Sequence, residues 1–450
     1  MTNEKPLGAQ QWLVLAAAFL GWMFDGVEIG LFPLVARPAL QELLADVGDA
    51  DVGRWNGIIG ACFLLGAAAG GLAFGWLGDR VGRVRAMAAA TLTYSLFTGA
   101  AAFATAAWQL AVLRFIASLG MGGEWAVAVA LVVECWPDRH RPKLAGAIGA
   151  AANFGFLLIA CVAYVFPVTA GSWRWMLLLG ASPAVLALLI LVFVPESQRW
   201  REARKTAVAS PLAEIFSRGV RKTLALAIVL SAVPLIGTWA AVSGWVPLWA
   251  EQLVEAQATA RAAGVDGLPP GDAQALQAAR EKLSPADRTA VMIDAARAKA
   301  GIQVWLAIGA IVGCFAAPIV GGVWGRRPVY FGLCLLSLLS CAFLFRVLTE
   351  YDLLFLATVG FVGAVTAAFY GWLPLYLPEL FPTRVRATAQ GLSFNFGRIL
   401  AAAGALQMGE LVRMLGGNYA AAGASITLIY AVGLAVIWLS PETKGRPLPD

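Results

Sequence analysis

Charged side chains are scarce in this 450-residue sequence: they make up 13% of it, whereas hydrophobic residues make up 60%. A soluble globular protein of this length does not need so large an apolar share to fill its core. The single histidine, His140, leaves too few donors for a zinc site and lies in a basic segment, away from any Ser/His/Asp arrangement. We therefore expect a protein that is not an enzyme and holds no cofactor.

Paired cysteines and continuous basic patches are also missing. The six cysteines occur singly, without the spacing of a metal site or a disulfide framework. The formal charge of +6 is divided among short segments between apolar blocks, which does not suit a nucleic-acid-binding surface. We predict neither metal nor nucleic-acid binding.

Apolar blocks of about 20 residues fill most of the chain, the length that a helix needs to cross about 30 Å of hydrocarbon. The first block lacks the cleavage site of a signal peptide, so we interpret it as a retained span. The expected fold class is an all-α membrane protein with twelve transmembrane helices. They are placed at 11–34, 57–78, 84–106, 109–133, 144–166, 175–194, 223–249, 301–323, 328–348, 353–377, 387–411 and 419–439.

Every second loop between these blocks is basic, and the intervening loops are acidic or nearly uncharged. Because basic loops stay on the cytoplasmic side, the pattern predicts an inner-membrane protein, in contact with lipid, whose two termini are both cytoplasmic. The basic groups are Arg80, Arg83 and Arg85; Arg139, Arg141 and Lys143; the segment 199–222; Arg326 and Arg327; Arg384 and Arg386; and Lys444 and Arg446.

An internal repeat divides the chain. The residues Glu134, Pro137, Arg139, Arg141 and Gly146 recur as Glu379, Pro382, Arg384, Arg386 and Gly391, all at an offset of 245 residues. We predict a first six-helix bundle at 1–200, a cytoplasmic linker at 201–222 and a second bundle at 223–450. In parallel-repeat carriers of this kind the substrate site lies between the halves near mid-membrane.

The Ala-rich segment 251–300 fits neither a span nor an ordinary loop. It mixes charges and is interrupted by Gly and Pro. We expect a periplasmic insertion with one or two short helices, one of which begins at Ser284 with Pro285 in its first turn. The sequence does not indicate what the insertion does.

The run GWLGDRVGR at 75–83 resembles the signature loop of the major facilitator superfamily, and further motifs cover nearly the whole chain: RFIASLGMGGE at 114–124, PES at 195–197, PELFPTR at 378–384 and PETKG at 441–445. The resemblance implies a network of charges that gates the cytoplasmic side. The alternative is that these charges only anchor helix ends and set the topology. The gating candidates are Asp79, Arg80, Arg83, Glu134, Arg139, Glu196, Glu379, Arg384 and Glu442.

Asp25 and Glu28 lie near the middle of the first span, where ionisable residues are costly and point to function. The run DGVE at 25–28 resembles the Asp-Gly-x-Asp motif of aromatic-acid and other carboxylate proton symporters, with Glu in the last place. We expect Asp25 to carry the coupling proton, with Glu28 beside it and Arg114 as the partner in a movable ion pair. The alternative is a permanent structural ion pair.

Polar residues of other spans are candidates for substrate binding. Arg398 lies at the centre of the eleventh span, where a guanidinium needs an anion and suits a carboxylate. The matching run of the first half, NFGF at 153–156, has Phe in that place, so the charge belongs to one half only. The candidates are Glu124, Arg398, Asn395, Trp239 and Tyr370. For Arg398 the alternative is pairing with an internal acid, and for the aromatic residues it is packing.

Together these features predict a secondary transporter that carries a small organic anion with protons by alternating access, as a monomer. One alternative is a porter of sugars or other neutral metabolites, because PES and PETKG resemble sugar-porter motifs. The seventh span reads VPLIGTW at 233–239 and lacks the Gln-rich stretch of those porters. Another is a non-transporting membrane sensor, which would need neither a proton switch nor a gate.

Overall fold

The computed structural model describes residues 8–44, 49–166, 171–206, 211–265, 267–268, 273–415 and 419–449. The first half contains α1 (Ala9–Leu43), α2 (Asp49–Val81), α3 (Arg83–Ala101), α4 (Ala107–Cys135), α5 (Arg141–Val165), α6 (Trp173–Leu179) and α7 (Pro183–Phe193). Two short helices, α8 (Gln198–Thr206) and α9 (Pro211–Ile215), follow in the segment predicted as a linker.

The second half begins with α10 (Arg221–Pro234), a π-helical segment (Leu235–Ser243) and α11 (Gly244–Ala263). It continues with α12 (Ala273–Glu281), α13 (Pro285–Trp324), α14 (Arg326–Val347), α15 (Leu353–Ala367), α16 (Phe369–Tyr376), α17 (Arg386–Met414), α18 (Tyr419–Ile426) and α19 (Ile429–Val436). Short 3-10 turns cover Asp138–His140, Leu377–Leu380, Thr383–Val385 and Ile437–Leu439.

Ten helical segments of the described chain are long and apolar enough to cross a membrane, which confirms the predicted all-α membrane fold. The remaining two predicted spans correspond to α3 and α17, which are helical but carry more polar residues. The count of twelve spans stays a prediction. Several spans are interrupted, and the seventh changes to a π-helix directly after Pro234, whose ring disturbs the α-helical hydrogen-bond pattern.

The segment 251–300 differs from a loop with separate helices. Only α12 stands alone, because α11 continues to Ala263 and the helix that begins after Ser284 runs for 40 residues to Trp324. Ser284 is confirmed as the N-cap, since its side chain accepts a hydrogen bond of 3.1 Å from the backbone N–H of Asp287. The two extended helices are joined by an ion pair of 2.9 Å between Lys299 and Glu251.

The halves pack on each other mainly through α2 on α17 and α5 on α13. Glycine permits the close approach. A Cβ on Gly391 of α17 would lie 2.0 Å from the carbonyl oxygen of Gly71 in α2. Within the first half, a Cβ on Gly155 of α5 would lie 1.9 Å from the carbonyl oxygen of Met23 in α1. Small residues at such contacts drive helix association in membranes.

We predict that Gly155→Ala destabilises the protein by about 1–3 kcal/mol, because the added methyl group must push α1 and α5 apart. The measurement is thermal unfolding of the purified protein in detergent. Gly60→Ala is the matched control: a Cβ there meets nothing within 4 Å, so better helix propensity leaves stability unchanged or higher. Equal unfolding midpoints for the two variants would contradict the packing described for α1 and α5.

Candidate functional site

Arg83 is fully buried at the basic-loop end of the bundle and pairs with two carboxylates of its own half. Its guanidinium lies 2.5 Å from Asp79 and 3.0 Å from Glu134. It also donates a hydrogen bond of 2.8 Å to the carbonyl oxygen of Thr383, which belongs to the second half. Two of the gating candidates, Arg83 and Glu134, are therefore paired, and the contacts of Arg83 extend across the halves.

Two ion pairs cross between the halves and are related by the repeat. Arg386 at the start of α17 lies 3.0 Å from Glu134, and Arg141 at the start of α5 lies 3.4 Å from Glu379. Glu379 also binds Arg326 at 2.7 Å, as Glu134 binds Arg83. Each glutamate thus contacts one arginine of its own half and one of the other.

Asp79 adds a contact that the second half does not repeat. Its carboxylate accepts hydrogen bonds from the backbone N–H groups of Ala387 and Thr388, at 3.2 and 2.7 Å, and so caps the first turn of α17. Glycine, Gly322, stands near the corresponding place before Arg326. The second half is therefore built with one carboxylate fewer. We call the cluster of Asp79, Arg83, Glu134, Arg141, Arg326, Glu379 and Arg386 the basic-side lock.

Glu196 and Glu442 are capping residues at the edge of this lock. Glu196 accepts backbone N–H hydrogen bonds from Arg83 and Val84 at 3.0 and 3.2 Å, and Glu442 accepts them from Arg326 and Arg327 at 2.9 and 3.0 Å. Partial burial opposes ionisation of Glu442, but these backbone donors outweigh it and lower its pKa. Both glutamates fix the first turn of a helix rather than bridge the halves.

Three arginines predicted for the gate lie outside the lock. Arg80 is exposed and stacks 5.1 Å from the Trp76 ring. Arg139 donates a hydrogen bond of 3.0 Å to His140, and Arg384 forms a half-exposed ion pair with Glu214. Arg139 and Arg384 each belong to an Arg-x-Arg pair whose other member, Arg141 or Arg386, lies in the lock. Both members share the 245-residue offset, so only the fold shows which side chain faces inward.

A cavity of about 310 Å³ lies between the halves. On α5 and α17 its lining begins at Gly149 and Phe394, about 12 Å along each helix from its first residue at the lock. The lining is mainly apolar, with a few polar groups, which is usual for small-molecule sites. Its aromatic members are Trp22, Phe156, Tyr370 and Phe394, and its polar members include Asn153, Thr238, Ser243, Gln303 and Arg398.

An aromatic cluster separates the cavity from the lock. The Trp125 and Phe394 rings stack with centroids 4.0 Å apart, and Trp22 meets both at 6.4 Å. Tyr370 contacts Phe394 edge-on at 6.2 Å. On α17, Phe394 stands between Arg386 in the lock and Arg398 in the cavity wall, so the cluster forms the floor of the cavity. We call Trp22, Trp125, Phe394 and Tyr370 the aromatic floor.

Arg398 is the cation in the described lining of the cavity. Its side chain is buried above the Phe394 ring, and its Nη1 has no hydrogen-bond partner among the described residues. Asp25 is fully buried beneath the wall, on the helical face of Trp22 and Ile29, and neither of its oxygens accepts a hydrogen bond from the described residues. The positive charge of Arg398 lies close enough to act on the Asp25 carboxyl group.

Arg114 does not pair with Asp25, contrary to the prediction. It forms a short ion pair with Glu28, which also accepts a hydrogen bond of 2.7 Å from Thr98. The guanidinium lies between the rings of Phe32 and Phe63, at 4.6 and 4.7 Å. Residues 25 and 28 point roughly 60° apart around α1, which is enough to send the two carboxylates to different neighbours.

The other residues predicted to bind substrate do not all lie at the cavity. Tyr370 lines the cavity. Asn395 does not, since it lies in the contact between the halves and donates a hydrogen bond of 2.7 Å to the carbonyl oxygen of Gly122. Glu124 is fully buried behind the lining, and the side chain of Trp239 lies outside the described residues.

Trp22, Phe394 and Phe156 were missed as cavity residues. Phe394 directly precedes the NFGR run, and Trp22 lies three residues before Asp25, so helical spacing from the two charged residues was the available signal. It was too weak to separate them from the other aromatic residues of a sequence with 17 Trp and 23 Phe.

Comparison with known proteins matches residues 12–264, more than half of the chain, to the family model of the Major Facilitator Superfamily. The chain belongs to the major facilitator superfamily. It is therefore a membrane transporter and not an enzyme, and the cavity between its halves lies where such carriers bind their substrates.

Relatives of known name span nearly the whole chain. A protein of Cupriavidus pinatubonensis named as a probable 4-methylmuconolactone transporter is 29% identical over 97% of this chain and 92% of its own length. The cis,cis-muconate transport protein of Acinetobacter baylyi is 26% identical over 96% and 92%. The solved structure of the E. coli proton:xylose symporter XylE, bound to 6-bromo-6-deoxy-D-glucose, superposes with a TM-score of 0.74 at 17% identity and covers 98% of both chains, which shows the shared fold.

We predict that Arg386→Ala opens the basic-loop side, because it removes a buried partner of Glu134, a loss worth about 3 kcal/mol. Spin labels on cysteines at the exposed positions 85 and 222, in an otherwise cysteine-free protein, would report longer distances between the halves.

Arg384→Ala is the matched control, since it removes the same charge from the half-exposed pair with Glu214 and is expected to change the distances little. Unchanged distances in Arg386→Ala, or equal shifts in both variants, would contradict the role given to the lock.

Proposed function

We propose that the protein is a proton-coupled symporter of a small organic carboxylate that works by alternating access. This proposal rests mainly on Arg398, whose buried guanidinium lies in the wall of an apolar cavity. One of its donor nitrogens has no hydrogen-bond partner among the described residues. A cation in such a place is costly without an anion. A substrate carboxylate supplies that anion and fits the planar donor fork of arginine.

Asp25 is the group that links the substrate to the proton. Arg398 offsets one negative charge, and Asp25 provides it while the cavity is empty. A substrate carboxylate that binds Arg398 takes over this role and leaves Asp25 as an uncompensated buried anion. Asp25 then takes up a proton, because a neutral carboxyl group is far less costly in this environment than a charged one. One proton thus accompanies one carboxylate.

Glu28 and Arg114 compensate each other in this scheme. The Thr98 hydroxyl donates a hydrogen bond to Glu28, and two aromatic rings pack against the Arg114 guanidinium. Neither Glu28 nor Arg114 lines the cavity. We assign the pair to holding α1 against α4 rather than to the exchange of protons. This assignment replaces the expectation that Arg114 is the partner of Asp25.

The direction of opening follows from the lock and the loop charges. The lock joins the halves at the basic-loop end, whereas the cavity occupies the part of the helices beyond the aromatic floor. If the basic loops are cytoplasmic, as the positive-inside rule predicts, the described state is closed to the cytoplasm. Import then requires the lock and the aromatic floor to separate once substrate and proton are bound.

The named relatives support an organic acid as the substrate. Two of them are named for muconate and for a methylated muconolactone, and others for niacin, sialic acid and 4-hydroxybenzoate. A mainly apolar wall with four aromatic side chains suits a compact carboxylate better than a polyhydroxylated sugar, which needs many hydrogen-bond partners.

We predict that Asp25→Asn abolishes accumulation driven by a pH gradient but leaves exchange of substrate for substrate. The assay uses proteoliposomes and a panel of 4-hydroxybenzoate, nicotinate, cis,cis-muconate, sialic acid and xylose. Glu42→Gln is the control, because Glu42 pairs with Arg174 outside the cavity. Full accumulation by Asp25→Asn, or transport of xylose alone, would refute the proposal.

We also predict that Arg398→Gln raises the half-saturating carboxylate concentration at least about tenfold, since losing one charge-assisted contact costs more than 1.4 kcal/mol. Arg346→Gln removes an equal charge from an exposed position and serves as the control. An unchanged half-saturation in Arg398→Gln would show that the anion binds elsewhere.

A further inference from the structure

Glu124 is a buried carboxyl group that the proposed transport cycle does not use. It lies on α4 next to Trp125 of the aromatic floor, and its side chain is completely buried. It faces α1 where that helix carries Gly21, and a Cβ on Gly21 would lie only 2.0 Å from a Glu124 carboxylate oxygen. Gly21 precedes Asp25 by one helical turn, so Glu124 and Asp25 are neighbours on the same side of α1.

The polar contacts of Glu124 do not compensate a charge. Neither of its oxygens accepts a hydrogen bond from the described residues. The hydroxyl of Thr91 lies close by but donates to the carbonyl oxygen of Met87 at 3.1 Å. A buried carboxylate without hydrogen bonds or a cation costs several kcal/mol, and a buried carboxylic acid costs much less.

Once the Glu28–Arg114 ion pair is set aside, the described groups around Asp25 and Glu124 leave one cation, Arg398, for these two carboxyl groups. Asp25 on α1 and Tyr94 on α3 are the electrostatic neighbours of Glu124, and Asp25 in turn has Arg398 of α17 and Glu28 of α1 in its surroundings. Arg114 lies on the same helix as Glu124, but Glu28 neutralises it. Arg398 is left to balance Asp25, because its electrostatic partners are Asp25 and Tyr370, and no other cation of the described residues remains for Glu124.

We propose that Glu124 holds a resident proton throughout the transport cycle, so that Asp25 alone exchanges protons. Asp25 lies on the helical face that lines the cavity, between Trp22 and Ile29, whereas Glu124 lies one turn further toward the lock and behind the aromatic floor. Both carboxyl groups are buried, but Asp25 lies about one helical turn nearer to the cavity lining than Glu124 does.

The consequence for transport rests on the proposed function. With Glu124 neutral, a carboxylate of charge −1 crosses with one proton, and the cycle moves no net charge. Were Glu124 to titrate as well, two protons would accompany each carboxylate and the cycle would carry current. Glu124 therefore sets the stoichiometry by keeping its proton.

Infrared spectroscopy of the substrate-free protein in nanodiscs at neutral pH tests the proposal. A protonated carboxyl group has a C=O stretching band that is separate from the bands of carboxylates. We expect this band in the wild-type protein, its loss in Glu124→Gln, and a shifted band in Glu124→Asp, which keeps a carboxyl group. The band should persist in Asp25→Asn and in Glu28→Gln. An unchanged band in Glu124→Gln, or its loss in Asp25→Asn, would overturn the proposal.

A second measurement uses transport. Glutamine mimics a neutral acid, so Glu124→Gln should keep the wild-type number of protons moved per 4-hydroxybenzoate, and a lower number would overturn the proposal. The infrared result needs no substrate. A band assigned to Glu124 in a protein that moves no carboxylate would refute only the proposed function, and proton-coupled transport without that band would refute only the resident proton.

Discussion

The proposed transport scheme depends on the balance of charge around Arg398. A guanidinium inside a membrane protein must meet an anion, and this one has Asp25 in its electrostatic surroundings and a cavity in front of it. Because one cation cannot compensate two carboxylates in a low dielectric, a substrate anion and an ionised Asp25 exclude each other. In the proposed mechanism, coupling between substrate and proton then needs no large motion at the site, because the two anions compete for one cation.

The lock also obeys the rule that a buried charge needs a partner of opposite sign, but there both partners belong to the protein. Glu134 meets Arg83 and Arg386, and Glu379 meets Arg326 and Arg141, so each glutamate there is paired with two arginines in the state described. Separating the halves must break the Glu134–Arg386 and Glu379–Arg141 contacts while leaving the pairs inside each half intact. The repeat therefore supplies a contact that opens at one surface without leaving either glutamate unpaired.

Much of this architecture could be predicted from the sequence. The apolar blocks gave the helical membrane fold, and the offset between Glu134 and Glu379 identified two related halves. The isolated charge at Arg398 identified the cavity wall. The sequence was a poorer guide to which individual charges form ion pairs. Arg114 binds Glu28 instead of Asp25. The lock contains Arg141 and Arg386 rather than their neighbours Arg139 and Arg384. These choices depend on helix rotation and on contacts between distant segments, which a repeat or a spacing does not encode. Asn395 illustrates the same limit, since a polar residue inside a span can serve the contact between helices as well as a ligand.

The most direct test of the central claim is calorimetric titration of the protein in nanodiscs with 4-hydroxybenzoate, in two buffers of different ionisation enthalpy. The difference in observed heat counts the protons taken up when the anion binds. We expect about one proton per bound carboxylate for the wild-type protein at neutral pH and none for Asp25→Asn. Binding without proton uptake, or equal uptake by the wild type and Asp25→Asn, would contradict the claim that substrate and Asp25 compete for Arg398.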